Sequence, residues 1–200
     1  MPRTARTLTP QTTYHILARG NNRQPVFHEP PDYETYRRLL LELLAETPTL
    51  RCYHYCLMPN HVHLLLYTEH AQAMVTTLQR LQLSYAWYHR RIYQTSGHLW
   101  QGRYKSLPIL DDPYLLEAGR YIERNALEAK LAEKLEAYPW SSYRWTGFGE
   151  ADPLCHSQPG LSRAGSDTSD SPTCLAAVHR ANTALPNPST EQLAGVFQGW

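Results

Sequence analysis

The sequence has no long apolar run. Apolar residues make up 42% of its 200 positions, but they come in stretches of only a few residues, such as LLLY at 64–67. A transmembrane helix needs about 20 consecutive apolar residues, so we expect no membrane span. The N-terminal MPRTARTLTPQ carries basic residues with no apolar segment behind them, and it therefore does not predict a secretory signal.

Cysteines are few. The four are at positions 52, 56, 155 and 174, with no CxxC pair, and their uneven spacing is not typical of a disulfide framework. We therefore expect reduced thiols and a cytoplasmic protein. Cys52, His54 and Cys56 alternate along one predicted strand and would share a face. Three such positions spread too far to close a zinc tetrahedron easily, so we expect packing rather than metal there.

The sequence also lacks a strong net charge, which is only +1. The charge is nevertheless unevenly distributed. Residues 1–110 hold 12 Lys and Arg against 6 Asp and Glu, a balance of +6, whereas residues 111–200 hold 7 against 12, a balance of −5. A basic N-terminal part is compatible with a phosphate-rich ligand.

The periodicity of apolar residues predicts an alternation of strands and helices. Strands are expected near 13–18, 50–57 and 61–68, with a further short strand in the apolar piece RQPVF that follows the RGNN turn. An extended segment is expected over 98–110, and helices over 30–47, 71–94 and 112–135. Asp32 and Asp112 are the predicted N-caps of the first and third helices. Strands joined by the short Met-Pro-Asn turn must be antiparallel. The pattern therefore predicts an α+β fold, a ferredoxin-like antiparallel sheet with helices packed on one face.

The composition changes near residue 149. The segment 149–200 is rich in Ser, Pro and Gly, which predicts a flexible tail with a short helix near 174–185 at most. Residues 1–148 then form the compact domain.

Two histidines follow the Met-Pro-Asn turn. His61 and His63 lie two apart on a predicted strand and so share a face, opposite Val62, Leu64 and Leu66. Their imidazoles could converge on one divalent ion. Taken alone, the spacing favours two ordinary polar residues on a half-exposed strand over a metal site, and it leaves the metal site open.

The third predicted helix offers candidates to complete such a site. Tyr121 and Asn125 are four residues apart and share a helix face. An amide oxygen is a fair ligand for a hard divalent ion, and a tyrosine can act as a nucleophile. Tyr121 could also simply pack on the sheet, because the chain holds 14 tyrosines.

Five segments in series carry a family resemblance. They are HILARGNNRQPVF, MPNHVHLLLY, LWQGRYKSLPIL, YLLEAGRYIERNAL and YPWSSY, which lie between residues 13 and 146. In this order and spacing the chain resembles the HUH single-tyrosine transposases, especially the REP-associated tyrosine transposases and related insertion-sequence enzymes. The resemblance implies that residues 1–148 are the catalytic domain of a DNA strand transferase.

The resemblance also implies roles for individual residues. His61 and His63 correspond to the metal-binding pair, Asn125 to a further ligand, and Tyr121 to the nucleophile. The implied cofactor is Mg or Mn, and the implied partner is single-stranded DNA with a hairpin. The implied reaction nicks and rejoins DNA through a 5′-phosphotyrosine intermediate. Some members of the family work as dimers, which leaves a homodimer open here.

Polar and aromatic segments are the predicted DNA contacts. Cations and amides reach phosphates, and aromatic rings stack on bases of single strands. The candidates are Arg19, Asn21, Asn22, Arg23, Arg90, Arg91, Trp100, Gln101, Arg103, Tyr104 and Lys105. Each could instead be an ordinary surface residue.

One departure from the family pattern is visible. The family usually has Asn-Pro-Val after the tyrosine, whereas this chain has Asn125-Ala126-Leu127. Without the proline we expect the helix to continue to about residue 135. Two other functions remain open: a nuclease that activates water with the same histidines, and a non-catalytic, domesticated DNA-binding module.

Overall fold

The structure, a computed structural model, describes residues 8–157. It contains four β-strands, four α-helices and two short 3₁₀ turns. The strands are β1 (Thr12–Arg19), β2 (Leu50–Met58), β3 (His61–Thr68) and β4 (Lys105–Ile109); the helices are α1 (Pro30–Glu46), α2 (Ala71–Tyr93), α3 (Asp112–Glu128) and α4 (Tyr143–Phe148); the 3₁₀ turns are Asn21–Arg23 and Leu135–Ala137.

The strands form one sheet in the order β2-β3-β1-β4, in which every neighbouring pair is antiparallel. Along the chain the elements follow the order β1-α1-β2-β3-α2-β4, the βαββαβ arrangement of ferredoxin-like folds. The predicted α+β class and ferredoxin-like antiparallel sheet are thus confirmed. Within the described residues, no helix is long and apolar enough to cross a membrane.

Both faces of the sheet are covered. Helices α1 and α2 pack on the face that carries Ile16, Val62 and Leu64, as predicted. Helix α3 packs on the opposite face, where Ile122 contacts a second apolar cluster that includes Leu65. The expectation that helices occupy one face therefore holds for α1 and α2 only. Apolar residues point to both sides of β3, so burial requires a helix on each side.

Helix α3 begins and ends differently from the prediction. Its N-cap is Asp111 rather than Asp112, and the Asp111 carboxylate accepts a hydrogen bond of 2.8 Å from Tyr114 N. The helix stops at Glu128 instead of continuing to 135. Lys130 has a left-handed backbone (φ 57°), its N–H donates to Leu127 O, and Leu131 N–H donates to Ala126 O. This Schellman arrangement ends the helix without a proline.

Strand β2 has an irregularity that changes which side chains face which way. The register with β3 shifts between Cys52 and His54, leaving Tyr53 as an extra residue. Such a bulge reverses the alternation of side chains. Cys52 therefore faces α1 and α2, whereas Cys56 faces α3. The expectation that Cys52, His54 and Cys56 share one face is wrong for this reason.

The start of the predicted tail packs on the domain. Leu154 is buried, and the Asp152 carboxylate accepts hydrogen bonds from Tyr55 Oη (2.6 Å) and Arg37 (3.1 Å). Residues 158–200, including the short helix expected near 174–185, lie outside the described residues.

Candidate active site

His61 and His63 lie at the start of β3 with their rings close together. The ring centroids are 4.9 Å apart, while Val62 and Leu64 point into the opposite core. The predicted sharing of one face is confirmed. His63 is buried and His61 half-buried, so the pair opens to solvent through His61.

The Nδ1 atom of each ring forms a hydrogen bond with a neighbouring side chain. His61 Nδ1 lies 2.6 Å from Asn60 Oδ1, and since an amide oxygen only accepts, the imidazole donates from Nδ1. His63 Nδ1 lies 2.8 Å from Nε2 of His15, a fully buried residue of β1. Partners of this kind fix the tautomer and orientation of metal-binding histidines.

The local environment keeps all three imidazoles neutral. Burial lowers the pKa of His15 to about 3. Burial, with a smaller contribution from the Arg19 charge, lowers the pKa of His61 to about 4. The pKa of His63 is lowered well below its usual value by burial and then by His61 and His15. A neutral imidazole is the form that binds a metal.

Tyr121 of α3 faces the same group. Its ring centroid lies 6.0 Å from that of His63 and 6.0 Å from that of His15, edge-on in both cases. Burial, and then the charge of Glu128, raise the pKa of Tyr121. The phenol is therefore protonated at neutral pH and must lose its proton in any reaction in which it attacks.

Asn125 follows one turn after Tyr121 and binds its own helix. Its amide Nδ2 donates to Tyr121 O (2.7 Å) and to Ile122 O (3.4 Å). These bonds use the amide nitrogen and not the amide oxygen. Among residues 8–157, no three or more His, Cys, Asp and Glu side chains form a metal site. An ion at His61 and His63 would thus need ligands of another type.

Arg19 lies beside His61, and two further cations, Arg23 and Lys105, interact electrostatically with Arg19. Arg19 is opposite His61 in the β1–β3 register. Burial, and then the charge of Arg23, lower the pKa of Arg19, while burial, and then the charge of Arg19, lower that of Lys105. We refer to Arg19, Arg23 and Lys105 as the cationic rim. The segments that carry it are joined by backbone hydrogen bonds, including Gln101 N to Arg19 O (2.9 Å).

A comparison with family models found a match that spans these residues. Residues 9–125 match the family model Y1_Tnp, described as "Transposase IS200 like". This is more than half of the chain, and it includes His61, His63, Tyr121 and Asn125. The chain belongs to the IS200-like transposase family. No curated protein matches the chain.

Solved structures support the fold of this family member. A REP-associated tyrosine transposase bound to a REP hairpin superposes with a TM-score of 0.61 at 14% identity, covering 85% of this chain and 100% of that one. A candidate transposase from Deinococcus radiodurans gives a TM-score of 0.42 at 16% identity, over 68% of this chain and 98% of that one. At such identities the first likeness concerns the fold alone, and the second is too weak to add to it.

The predicted DNA contacts of this IS200-like transposase fall into three groups. The first group lies on the adjoining segments 19–23 and 101–105, where Arg19 and Lys105 are partly buried and the others are exposed; its members are Arg19, Asn21, Asn22, Arg23, Gln101, Arg103 and Lys105. Arg90 and Arg91 lie at the end of α2, where Arg90 donates to Gly97 O and Arg91 lies over the Trp87 ring. Both contacts lie at the end of α2 and in the segment that follows it.

The two aromatic candidates belong to the third group. Tyr104 is only 3% exposed and lies in the core, so its predicted role as a stacking surface has to be corrected. Trp100 packs against the same core, and its indole N–H donates to Gln82 O (2.9 Å). Most of the surface of both aromatic rings is therefore buried against apolar side chains.

His15 is the site residue that the sequence analysis missed. It lies in the segment HILARGNN that carries part of the family resemblance, and it alternates with Ile16 on β1, so its orientation could have been read from the strand. Its proximity to His63 depends on the β1–β3 register, in which Leu17 is opposite His63. A single strand does not reveal that register.

Proposed function

We propose that this IS200-like transposase nicks and rejoins single-stranded DNA in a metal-dependent reaction, with Tyr121 as the nucleophile. The observation that supports this most directly is the position of the Tyr121 ring, 6.0 Å from the ring of His63 within the same chain. A tyrosine against a pair of neutral, oriented histidines and next to the cationic rim suits attack on a DNA phosphate.

The residues present fit a divalent ion. Asn60 accepts from Nδ1 of His61, and the matching arrangement has Nδ1 of His63 donating to Nε2 of His15. Both rings then keep the Nε2 lone pair for a metal. We propose His61, His63 and the Asn125 amide oxygen as ligands of Mg or Mn. When bound, such an ion neutralises charge on the phosphate oxygens.

In the proposed first step, Tyr121 Oη attacks the phosphorus of a DNA phosphodiester. A bond forms between Oη and phosphorus, and the bond between phosphorus and the 3′ oxygen breaks. The phenol proton leaves Tyr121, and the 3′ oxygen gains one to become a free 3′-OH. The product is a 5′-phosphotyrosine. A 3′-OH then attacks that linkage and releases Tyr121, so strands are joined without a nucleotide cofactor.

DNA recognition is assigned to the cationic rim and its neighbours. Arg19, Arg23 and Lys105 would bind backbone phosphates, which is the sequence-independent part of the affinity. The similar REP-associated tyrosine transposase was solved with a REP hairpin, and by analogy we propose a hairpin-bearing single strand as the substrate here.

The test is covalent adduct formation. A hairpin-bearing oligonucleotide labelled at its 3′ end is incubated with protein and Mn²⁺ or Mg²⁺, and the mixture is run on an SDS gel. The wild type should shift the label to the size of the protein plus DNA. Tyr121→Phe should give no shift, because it lacks the attacking oxygen, and should still bind the oligonucleotide. Tyr114→Phe on the same helix is the matched control and should keep the adduct.

Other outcomes separate the alternatives. A free 5′-phosphate with no adduct at any time would identify a nuclease that activates water. Equal hairpin binding in EDTA and in His63→Ala, with no cleavage, would identify a non-catalytic DNA-binding module. An adduct that persists in Tyr121→Phe would exclude Tyr121 as the nucleophile.

A further inference from the structure

We infer that Glu123 is a positioning residue that sets the rotation of α3 and so holds Tyr121 against His63. This inference rests on the proposed role of Tyr121. Glu123 lies two residues after the tyrosine and is 1% exposed. A buried glutamate is rare unless its carboxylate has partners, and here the partners belong to two other elements of the same chain.

One carboxylate oxygen of Glu123 accepts three hydrogen bonds. Oε1 accepts from Ser142 Oγ (2.7 Å), from Thr146 Oγ1 (2.9 Å) and from His54 Nδ1 (2.8 Å). His54 belongs to β2, and its orientation towards α3 follows from the bulge at Tyr53. We call Glu123, His54, Ser142 and Thr146 the α3 anchor.

The segment that supplies the hydroxyl groups is itself fixed to the sheet. Ser142 N donates to Tyr55 O (3.0 Å), and Ser142 Oγ accepts from Tyr55 N (3.1 Å). Tyr138 Oη donates to Leu57 O (2.6 Å). The α3 anchor is therefore attached to β2 both directly and through residues 138–146.

Gly119 shows how closely α3 approaches the anchor. A Cβ at this position would lie 2.6 Å from His54 Nε2, a distance that real Cβ atoms do not adopt. The His54 ring thus occupies the space that any other residue at 119 would fill. This contact fixes the helix at a second point, one turn before Glu123.

The geometry of a helix explains why the anchor matters for Tyr121. Residues 121 and 123 differ by about 200° around the axis, with Ile122 facing the sheet between them. Packing by Ile122 and Ala118 is non-directional and tolerates small rotations. A side-chain tip about 6 Å from the axis moves about 1 Å when the helix turns by about 10°. Misplacement of that size can cost about 100-fold in rate.

The experiment compares Glu123→Gln, Glu123→Ala and Gly119→Ala with a control on the same helix. The control is Glu117→Gln, which removes a carboxylate that binds Arg120 at 2.6 Å. Adduct formation is measured in single turnover at saturating DNA, with DNA affinity measured separately in EDTA. Glu123→Ala and Gly119→Ala should lower the rate of adduct formation at least 10-fold, while their DNA affinity stays within about 2-fold of the wild-type value. The rate of Glu123→Gln should lie between those of these two variants and that of the wild type. Glu117→Gln should match the wild type.

A second readout follows Tyr121 without activity. 3-Fluorotyrosine at position 121 gives a single ¹⁹F resonance that reports on the surroundings of the ring. Glu123→Ala and Gly119→Ala should shift or broaden it, and Glu117→Gln should not. If the wild type forms no adduct, the proposed function fails, and the ¹⁹F comparison alone then decides whether the anchor positions Tyr121.

Loss of stability is distinguished by Leu44→Ala, which removes a buried side chain of α1. All variants are assayed at a temperature at which each remains folded. Leu44→Ala should keep the wild-type rate and ¹⁹F resonance despite its lower melting temperature. The inference is overturned if rates fall in line with stability across all variants, or if the anchor variants keep both the rate and the resonance.

Discussion

At the scale of single residues, the candidate site is built from imidazoles whose Nδ1 or Nε2 atoms bind neighbouring side chains. His15 is buried and has its Nε2 atom 2.8 Å from Nδ1 of His63. His61 is held in the same way by Asn60 at 2.6 Å. Orientation by a second side chain typically strengthens metal binding. We therefore assign His15 a role in orienting His63 rather than in binding the ion.

This role predicts the metal affinity of a variant. His15→Leu removes the partner of His63 Nδ1 while keeping an apolar side chain in the buried position. The affinity for Mn²⁺, measured by isothermal titration calorimetry, should fall about 10- to 100-fold. His98→Asn, at an exposed histidine, should bind Mn²⁺ like the wild type. Unchanged affinity in His15→Leu would show that His63 needs no orienting partner.

Burial of His15 also predicts a pH dependence of stability. Its pKa is about 6.5 in the unfolded chain and about 3 in the folded protein. The unfolded chain therefore binds a proton that the folded protein does not, and stability is lost as pH falls from about 6.5 towards 3. Between pH 7 and pH 5 the loss from His15 is about 2 kcal/mol, at about 1.36 kcal/mol per pH unit below 6.5.

Urea unfolding in EDTA at pH 7 and pH 5 measures this loss. The wild type should lose about 2 kcal/mol more than His15→Leu over that interval, whereas His98→Asn should behave like the wild type. An equal loss in His15→Leu would mean that the acid sensitivity originates elsewhere, for example at His61.

Motif spacing and side-chain alternation could predict part of this site. His61 and His63 share a strand face by geometry, and the structure has them there. Tyr121 came from the family resemblance, and its ring indeed faces His63. His15 could not be paired with His63, because that requires the register between two strands. The burial of Tyr104 depends on the packed core, which its local sequence does not reveal.

At the scale of elements, α3 ends through backbone hydrogen bonds and one left-handed residue, without the proline that the family usually has after Asn125. Lys130 adopts φ 57° in a Schellman motif, a conformation that costs an L-residue roughly 1 kcal/mol and glycine almost nothing. Lys130→Gly should therefore stabilise the protein by about 1 kcal/mol in urea unfolding. Lys130→Ala keeps a Cβ and should change stability by less than about 0.5 kcal/mol. A loss of stability in Lys130→Gly would contradict this account of the helix end.

The bulge in β2 has the largest effect that the sequence did not predict. Strict alternation predicted one shared face for Cys52 and Cys56, and the extra residue at Tyr53 separates them. The order of the longer strands and helices, in contrast, follows from apolar periodicity and was predicted. The short strand expected after the RGNN turn was wrong, because residues 24–28 form no strand. Bulges depend on pairing between strands, and this one turns His54 towards Glu123 of α3. The longer helices and strands could thus be predicted from the sequence, whereas irregularities such as the bulge could not.

At the scale of the whole molecule, both halves of the candidate site lie in one chain. β3 supplies His61 and His63, α3 supplies Tyr121, and the α3 anchor ties that helix to the sheet that carries the histidines. A tyrosine helix exchanged between two subunits would give up those buried hydrogen bonds within its own chain and could regain them only from the partner. We therefore expect each chain to attack DNA at its own histidine pair, whether or not the protein forms a homodimer.

A mixing experiment tests this expectation. Tyr121→Phe keeps the histidine half of the site, and His63→Ala keeps the tyrosine half. If each site is built within one chain, an equal mixture, unfolded and refolded together, should form no more adduct than the two variants alone. If the helices are exchanged, mixed dimers would regenerate one intact site, so roughly a quarter of all sites would be active. Wild type mixed with Tyr121→Phe is the control for refolding and should retain about half of the wild-type adduct under either arrangement. Recovery of adduct in the mixture of the two variants would show that Tyr121 acts on DNA held by the partner chain.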